Sequence, residues 1–307
     1  MSGCVYGCIY KSNQDIDRMI ASNSIEYVSG VLVQTVRETE NKVNVSLINQ
    51  HGTYENLLFD RVFLAAGALN STRIVLQSKQ MYGTKTVLKS TVGFVAPMFR
   101  IKRSPVDWPN ANTQPGLFLE YKVADLSNHW IHTQLSTPNE MIFEKLKIDP
   151  SAKGIVQGVK KYLTGHLIIA LCNMHSNHGN GYEIELKKAI NGGCDKLISN
   201  RQQLDKTRRE IKKAVWKLFS IGRKIGCYPI IPFIMDSAQG RGYHVGGSMP
   251  MKNSPQKETD TNTLGNPKGW TRVHLVDSSI FPSLPGTTIG LLAMANAARI
   301  ASEVELI

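Results

Sequence analysis

A histidine in a glycine-rich stretch is the residue with the clearest chemical potential in this sequence. His244 lies in GRGYHVGGSMPM, among glycines at positions 240, 242, 246 and 247. Glycines let the backbone approach a ligand closely, and histidine is the side chain best suited to accept a proton near neutral pH. Local composition leaves two interpretations open: a proton acceptor that faces a planar cofactor or substrate, or a loop histidine with a structural hydrogen bond.

Four other histidines occur in pairs, and neither pair predicts a metal site. His175 and His178 have HxxH spacing without an acidic residue in the motif, which favours a turn between strands over a metal centre. His129 and His132 are interpreted as residues at the end of a strand. No metal site is therefore predicted.

Cysteine usage indicates a reduced compartment, the cytoplasm. Five cysteines are too few and too scattered for a disulfide framework. Cys4 and Cys8 lack a second pair of Cys or His residues nearby, so packing is favoured over zinc binding. The first residues lack a basic start before a long apolar stretch, and no apolar run approaches the ~20 residues of a membrane span.

The chain is basic, and most of the excess charge lies between residues 141 and 230. It carries 36 Lys and Arg against 24 Asp and Glu, a net charge of +12. The basic run RQQLDKTRREIKKAVWKLFSIGRK has a helical period, with one apolar face formed by Leu204, Ile211, Val215, Leu218 and Ile225. A solvated helix face is favoured over a specific nucleic-acid site, because no nucleic-acid fold signature accompanies it.

A strand, a turn and a helix are predicted within FDRVFLAAGALNSTRIVLQS. Residues 24–66 have the alternating or β-branched pattern of strands, and the last strand is expected at Arg61–Ala66. Gly67 forms the turn, and a helix follows it. A strand that leads through glycine into a helix N-terminus is a place where backbone meets a phosphate or a ring.

The remaining elements predict an α+β middle region and a terminal helix. The terminal helix is expected over Thr288–Val304. Because it is rich in small residues, we expect it to be buried. The middle region is predicted to hold a long basic helix and several strands, at Asn200–Ile225, Gly116–Lys122, Trp130–Leu135, His166–Met174 and Tyr182–Leu186.

Motifs of several enzyme classes are absent from the sequence. It has no GxGxxG fingerprint, no GxSxG, no phosphate-binding P-loop and no HExxH. Serine hydrolase, kinase and zinc protease functions therefore have no support from motifs.

Two stretches together resemble the glucose–methanol–choline (GMC) flavin oxidoreductases. FDRVFLAAGALNSTRIVLQS resembles that family's inner strand–turn–helix. GYHVGGSMPM, followed by RVHLVDSSIFPSLPGTTIGLLAMANAARIA, resembles its C-terminal signature in order and spacing. The opening CVYGCIYKSNQDID and SIEYVSGVLVQTV are similar to the family's middle section. Members of the family begin with a βαβ unit that binds the FAD pyrophosphate, so the chain resembles the C-terminal portion of such an enzyme.

The resemblance implies a fold, a set of domains and a cofactor. The flavin-side parts would be α/β and FAD/NAD(P)-binding-like, and the substrate domain α+β with a largely antiparallel sheet, which together make an incomplete GMC fold. The implied division is a partial FAD-binding domain at residues 1–95, a substrate-binding domain at 96–235, and a return to the FAD-binding domain at 236–307. The implied cofactor is FAD.

The family's site residues map onto named positions of this sequence. His244 matches the histidine that removes the hydroxyl proton while the alcohol's hydride passes to flavin N5. The family's second His or Asn corresponds to Thr287 or Thr288 in PGTTIG, and a threonine hydroxyl cannot act as a base near pH 7. The positions implied to bind the cofactor are Val33, Ala66, Gly67, Asp277, Ser278 and Thr288.

The implied activity is oxidation of the CH–OH group of an alcohol, sugar or polyol. The alternatives are an inactive fragment, one half of a split enzyme whose N-terminal FAD-binding half is a separate chain, and a basic surface-binding protein. The expected partners are thus a small-molecule alcohol or sugar and that N-terminal half, with no specific nucleic acid and no membrane span.

Overall fold

The computed structural model describes residues 8–104, 115–138, 144, 147, 149, 153–179, 181–189, 195–201, 205–236 and 244–304. In this part of the chain the helices are α1 Ser12–Ala21, α2 Ala68–Ser78, α3 Ile155–Thr164, α4 Asp205–Ile225 and α5 Gly290–Glu303. The strands are β1 Leu32–Glu38, β2 Val43–Ile48, β3 Tyr54–Phe59, β4 Val62–Leu64, β5 Lys85–Ser90, β6 Val92–Arg100, β7 Leu117–Tyr121, β8 Ile131–Ser136, β9 Leu167–Met174, β10 Tyr182–Lys187, β11 Lys196–Arg201, β12 Cys227–Pro229, β13 Met235–Asp236, β14 Val245–Gly246 and β15 Val273–Leu275. Mixed helices and largely antiparallel sheets agree with the coarse fold class predicted.

The strand–turn–helix at Gly67 is present. β4 pairs in parallel with β15, and Val62 lies opposite Val273. Gly67 follows with a φ of 82° and leads into α2, a backbone conformation that glycine adopts without strain. The strand is shorter than the predicted Arg61–Ala66, and of its three residues only Leu64 is buried.

An antiparallel meander covers α2. β1, β2 and β3 form a three-stranded sheet, and alternate residues of β2 are buried, as expected for a sheet with one face on the core. Val36, Val43 and Val45 pack into one cluster with Ile74 and Val75 of α2. The strand predicted within 24–30 is not formed. Residues 24–30 are bends and irregular backbone, and β1 begins after them.

The predicted antiparallel sheet lies in the middle region and packs on α4. Its order is β12–β6–β9–β8–β7, with β13 also paired to β6. One face contributes Phe94 and Cys172 to a core that includes Val215 and Leu218 of α4. The apolar face predicted for this helix is confirmed at its centre. It is wrong at Ile225, which is 59% exposed because the helix ends there and the chain turns at Gly226 with a φ of 67°. Leu204 lies outside the described residues.

A further sheet of four strands has the order β11–β10–β5–β14. The domain division at 1–95, 96–235 and 236–307 stays a prediction. In the ranges described, no helix is long and apolar enough to cross a membrane.

The terminal helix α5 is present but is not buried, which corrects that prediction. Ile300 is its buried residue, with Ala293 and Ala297 packed partly against the core. Leu291 is 76% exposed and Leu292 45% exposed. A helix has two faces, and the described residues cover one of them, so small size did not by itself imply full burial.

Candidate functional site

His244 lies where β14 meets β5 and β6. Its carbonyl accepts a hydrogen bond from Thr91 N at 3.2 Å, and the next residue, Val245, pairs with Ser90. The side chain is half-buried, and its Nδ1 has no partner among the described residues. Burial lowers the pKa of His244, and the nearby charge of His132 lowers it further. The ring is therefore neutral at pH 7 and has a nitrogen able to accept a proton.

Asp277 ties the Gly67 turn to the segment beside His244. Its Oδ2 accepts hydrogen bonds from Gly67 N at 2.9 Å and from the Ser71 hydroxyl, and its Oδ1 accepts one from Ser279 N at 2.8 Å. Ser278 Oγ donates to Val245 O at 2.9 Å. A short chain of hydrogen bonds thus joins Gly67, Asp277 and Ser278 to the residue next to His244.

The PGTT turn before α5 packs against the middle sheet. Leu284 exchanges two hydrogen bonds of 2.9 Å with Ser176, one through each of its backbone groups. A Cβ added to Gly286 would lie 2.5 Å from Asn173 O and 3.3 Å from Trp130 O, so only glycine fits here. Thr287 and Thr288 follow and are exposed.

The two remaining predicted cofactor residues flank α2. Val33 O accepts a hydrogen bond from Arg73 Nη2 at 3.0 Å, which places Val33 beside the middle of that helix. Ala66 is exposed at the N-terminal end of α2, and its N–H donates to Ser71 Oγ at 3.1 Å. Hydrogen bonds therefore connect Ala66, Gly67, Asp277 and Ser278 to the residue next to His244, and Val33 lies by α2. Their roles stay predictions.

Sequence reasoning missed a histidine whose charge acts on His244, and the two polar residues that are paired with it across the middle sheet. His132, interpreted as a strand-end residue, is 6% exposed within β8, where it lies opposite Asn173 of β9 and Glu120 of β7. A signal was available in IHTQLS, where polar residues at 132, 134 and 136 alternate with Ile131 and Leu135. That alternation is typical of a strand with one polar face.

The segment that holds His175 and His178 forms a turn, as predicted. Ser176–His178 is a short 3₁₀ helix after β9, and the rings of His129 and His175 stack with centroids 3.6 Å apart. Burial lowers the pKa of His175 to about 4, with further contributions from the positive groups of His129, His178 and Lys89. Among the described residues no cluster of His, Cys, Asp and Glu could hold a metal ion. Cys4 lies outside them.

We expect acidification to destabilise the protein through His175. Its pKa in the folded state lies below the ordinary value of 6.5, so the unfolded state binds more protons between these values. The stability that neutral His175 contributes is fully present above pH 6.5 and is lost as the pH falls toward 4. Between pH 7 and pH 5 the free energy of unfolding should fall by about 2 kcal/mol on this account, measured by urea denaturation.

The matched variants are His175→Asn and His51→Asn. Asparagine at 175 can still accept the hydrogen bond that Asn177 N now gives to His175 Nδ1 at 3.1 Å, so the variant should fold and show a flatter pH dependence. His51 is exposed in a loop, and its replacement should leave the slope unchanged. An equally steep slope in His175→Asn would contradict the assignment.

Comparison with known proteins finds one family model that matches part of the chain. Residues 201–297 match the family model for the C-terminal region described as GMC oxidoreductase. This match confirms the predicted resemblance of the C-terminal portion to the GMC oxidoreductases. No curated protein matches the sequence.

Two solved structures share the fold at low identity. Pyridoxine 4-oxidase from Mesorbium loti superposes with a TM-score of 0.58 and 16% identity over 89% of this chain. An FAD-dependent oxidoreductase from Chaetomium thermophilum, in complex with a small-molecule fragment, gives a TM-score of 0.59 and 14% identity over 93%. The present chain covers 57% and 62% of those two chains, respectively, less than two thirds of each.

Proposed function

We propose that this chain is part of an FAD-dependent oxidoreductase that acts on the CH–OH group of an alcohol, sugar or polyol. One observation carries the proposal. The Gly67 turn, the Asp277 junction and the half-buried His244 meet in one place although they are distant in sequence, and within the described ranges no group bonds to the Nδ1 of His244. The GMC match over residues 201–297 and the two oxidoreductase folds support the same class.

The described residues fit a flavin cofactor. Gly67 precedes α2 and is exposed, and a Cβ built on it would meet no atom within 4 Å. Gly290 begins α5, and a Cβ built on it would likewise meet no atom within 4 Å. Backbone N–H groups at such helix starts favour negative charge, and FAD carries it on its pyrophosphate and, when reduced, on its ring. Ala66, Gly67 and Ser278 would hold the cofactor on the His244 side, and Val33 would lie by the adenine.

The role proposed for His244 follows from its charge state. A neutral imidazole can take the hydroxyl proton of an alcohol, and general bases of this kind contribute about 10²–10⁴-fold to rate. The flavin, when bound, accepts the hydride. Thr287 and Thr288 are exposed, and their hydroxyls can orient a substrate by hydrogen bonds but cannot take its proton near pH 7.

We also propose that an FAD-binding half corresponding to the uncovered part of the two neighbours packs on this chain. β4 and β15 form a two-stranded parallel sheet in the described residues, whereas parallel sheets are normally covered on both faces. Phe63 of β4 is 40% exposed, and Leu291 of α5 is 76% exposed. A covering domain would bury these apolar surfaces. A cytoplasmic location, with cysteines kept as thiols, belongs to the same proposal.

We expect the 307-residue chain alone to bind FAD weakly. Its sequence has no GxGxxG loop, and such a loop contributes several charge-assisted backbone hydrogen bonds of roughly 1.5–3 kcal/mol each. Three of them amount to orders of magnitude in affinity. Titration of FAD into the purified chain, followed by flavin fluorescence, measures this affinity.

The same titration, repeated with a GMC FAD-binding half added, tests the proposed function. Tight FAD binding and bleaching of the flavin by an alcohol in the reconstituted protein are expected. Dissociation constants below about 1 μM for the isolated chain would contradict the weak-binding prediction. Failure of every alcohol and sugar to reduce the reconstituted flavin would refute the oxidoreductase proposal and leave the inactive-fragment alternative.

A further inference from the structure

Helix α3 lies on the molecule with its apolar side outward. Five of its ten residues are apolar and more than half exposed: Ile155, Val156, Val159, Tyr162 and Leu163. At about 100° per residue these five fall within one arc of about 120°, and they form the α3 apolar face. Surface helices of globular proteins normally turn such a face to the core, and an exposed apolar face of this kind marks a contact with a partner.

The polar residues of α3 occupy the inward side. Gln157 and Lys160 are half-buried, and Thr164 is buried. The Nζ of Lys160 donates to Lys147 O at 3.0 Å, and the hydroxyl of Thr164 donates to Lys161 O at 2.8 Å. None of the apolar clusters formed by the described residues includes a residue of α3. The helix is therefore held by polar contacts, and its apolar face does not contribute to those cores.

α3 lies at the end of the middle sheet that is far from His244. The helix leads into β9, and Arg100, at the end of β6, donates to Gly165 O at 3.1 Å. The carbonyl of His244 is bonded to Thr91, just before the other end of β6, and nine residues of strand span about 30 Å. The Asp277 junction places β4 and β15 at the His244 end. An FAD-binding half that covers β4 and β15 is thus at the wrong end to cover α3.

The surface around the α3 apolar face is positively charged. Residues 99–104 and 139–166 together carry 8 Lys and Arg against 3 Asp and Glu. The guanidinium carbon of Arg103 lies 5.0 Å from the ring centroid of Tyr162, and Lys102 and Lys153 are exposed. A second copy of the chain would bring like charges together at this face. A negatively charged lipid surface instead attracts basic side chains and receives apolar ones.

We propose that α3 is a membrane-contact helix that seats the protein on an anionic lipid surface. The helix is about 15 Å long, which suits a peripheral contact in the plane of the interface and is far too short for a span. The α3 apolar face enters the boundary between headgroups and acyl chains. Tyr162 lies at the headgroup level, where aromatic rings concentrate, and Arg103 and Lys153 meet lipid phosphates. This contact goes beyond the proposed function and does not depend on the flavin.

Co-sedimentation of the 307-residue chain with lipid vesicles tests the contact. We expect binding to phosphatidylcholine vesicles that contain phosphatidylserine, and much weaker binding to phosphatidylcholine alone. In the double variant Ile155→Ser, Val159→Ser the affinity for the anionic vesicles should fall by about tenfold or more. Leu58→Ser is the matched control, because Leu58 is 66% exposed on β3, and this variant should bind as the parent does.

Charge reversal separates α3 from the rest of the basic surface. Lys153→Glu should lower the affinity for anionic vesicles by roughly fivefold or more. Lys217→Glu makes the same change at an exposed residue of α4 and should lower the affinity much less. Both substitutions are at exposed positions, so the two variants should fold as the parent does.

Four results would each overturn the proposal. Equal binding of the parent and the double variant removes the α3 apolar face from the contact. Equal losses in Lys153→Glu and Lys217→Glu assign the binding to the basic surface as a whole. A parent that binds no anionic vesicle leaves a second copy as the partner, which sedimentation equilibrium detects as a dimer that Val156→Ser abolishes. Vesicle binding that disappears when a GMC FAD-binding half is added shows that this half covers α3.

Discussion

His244→Ala is expected to slow flavin reduction by about 10²–10⁴-fold in the FAD-loaded protein, or roughly 3–5 kcal/mol of barrier. His244 is half-buried beside the Asp277 junction, and its Nδ1 meets no hydrogen-bond partner in the part of the chain that the structure describes. Its pKa is lowered by burial and by the charge of His132. It is therefore neutral and able to accept a proton at pH 7. Removal of the alcohol's proton occurs in the transition state and not in the resting complex, so FAD affinity should change far less than turnover.

The measurement is the rate of flavin reduction per FAD-loaded molecule, followed anaerobically with excess alcohol. Thr287→Ala and Thr288→Ala are the matched controls, because these exposed hydroxyls can contribute about one hydrogen bond each, or ~1 kcal/mol. A structural histidine would behave differently, since its loss would lower stability and FAD retention together. A rate per bound flavin equal to that of the parent would remove His244 from the mechanism.

Asp277→Ala is expected to cost about 2–4 kcal/mol of unfolding free energy. Both carboxylate oxygens are occupied: Gly67 N, the Ser71 hydroxyl and Ser279 N donate to them. The substitution removes all three hydrogen bonds at once and detaches the start of α2 from the 278–280 turn. Thermal and urea denaturation of the isolated chain measure the loss.

Two variants show whether this loss is specific to the junction. Asp277→Asn keeps one acceptor oxygen and should fall between the parent and Asp277→Ala. Asp60→Ala removes a carboxylate of the same type, paired with Lys42 at 2.5 Å on the surface and 71% exposed; it should not change the midpoint measurably, because exposed ion pairs contribute little. If Asp277→Ala melts with the parent, the carboxylate is not the link between the two segments.

Most elements with a clear period could be predicted from the sequence. The centre of α4 is buried at Val215 and Leu218 as its apolar spacing indicates, and the turn at Gly67 has the positive φ that a glycine there suggests. Short strands were harder to predict. β12, β13 and β14 have two or three residues each, too few for a recognisable alternation, and they form because β5 and β6 offer them a pairing edge.

Burial at the surface of the fold depends on what packs against each element. The small residues of α5 suggested an interior helix, yet Leu291 and Met294 are exposed. Helix composition records which contacts are possible, whereas exposure is decided by the neighbours present. The same reasoning applies to Ile225, whose spacing matches the apolar face of α4 although it lies at the helix end.

The sequence by itself determined the chemistry of single positions: a histidine among glycines, a strand that turns at Gly67 into a helix, and threonines where an imidazole would be needed for a second base. These are properties of residue type and local spacing. Only the tertiary structure placed Glu120, His132 and Asn173 opposite one another, through the pairing of β7, β8 and β9. Register between strands is set by long-range backbone hydrogen bonds and by which face is buried, so residues that meet across a sheet leave no signature in the spacing along the chain.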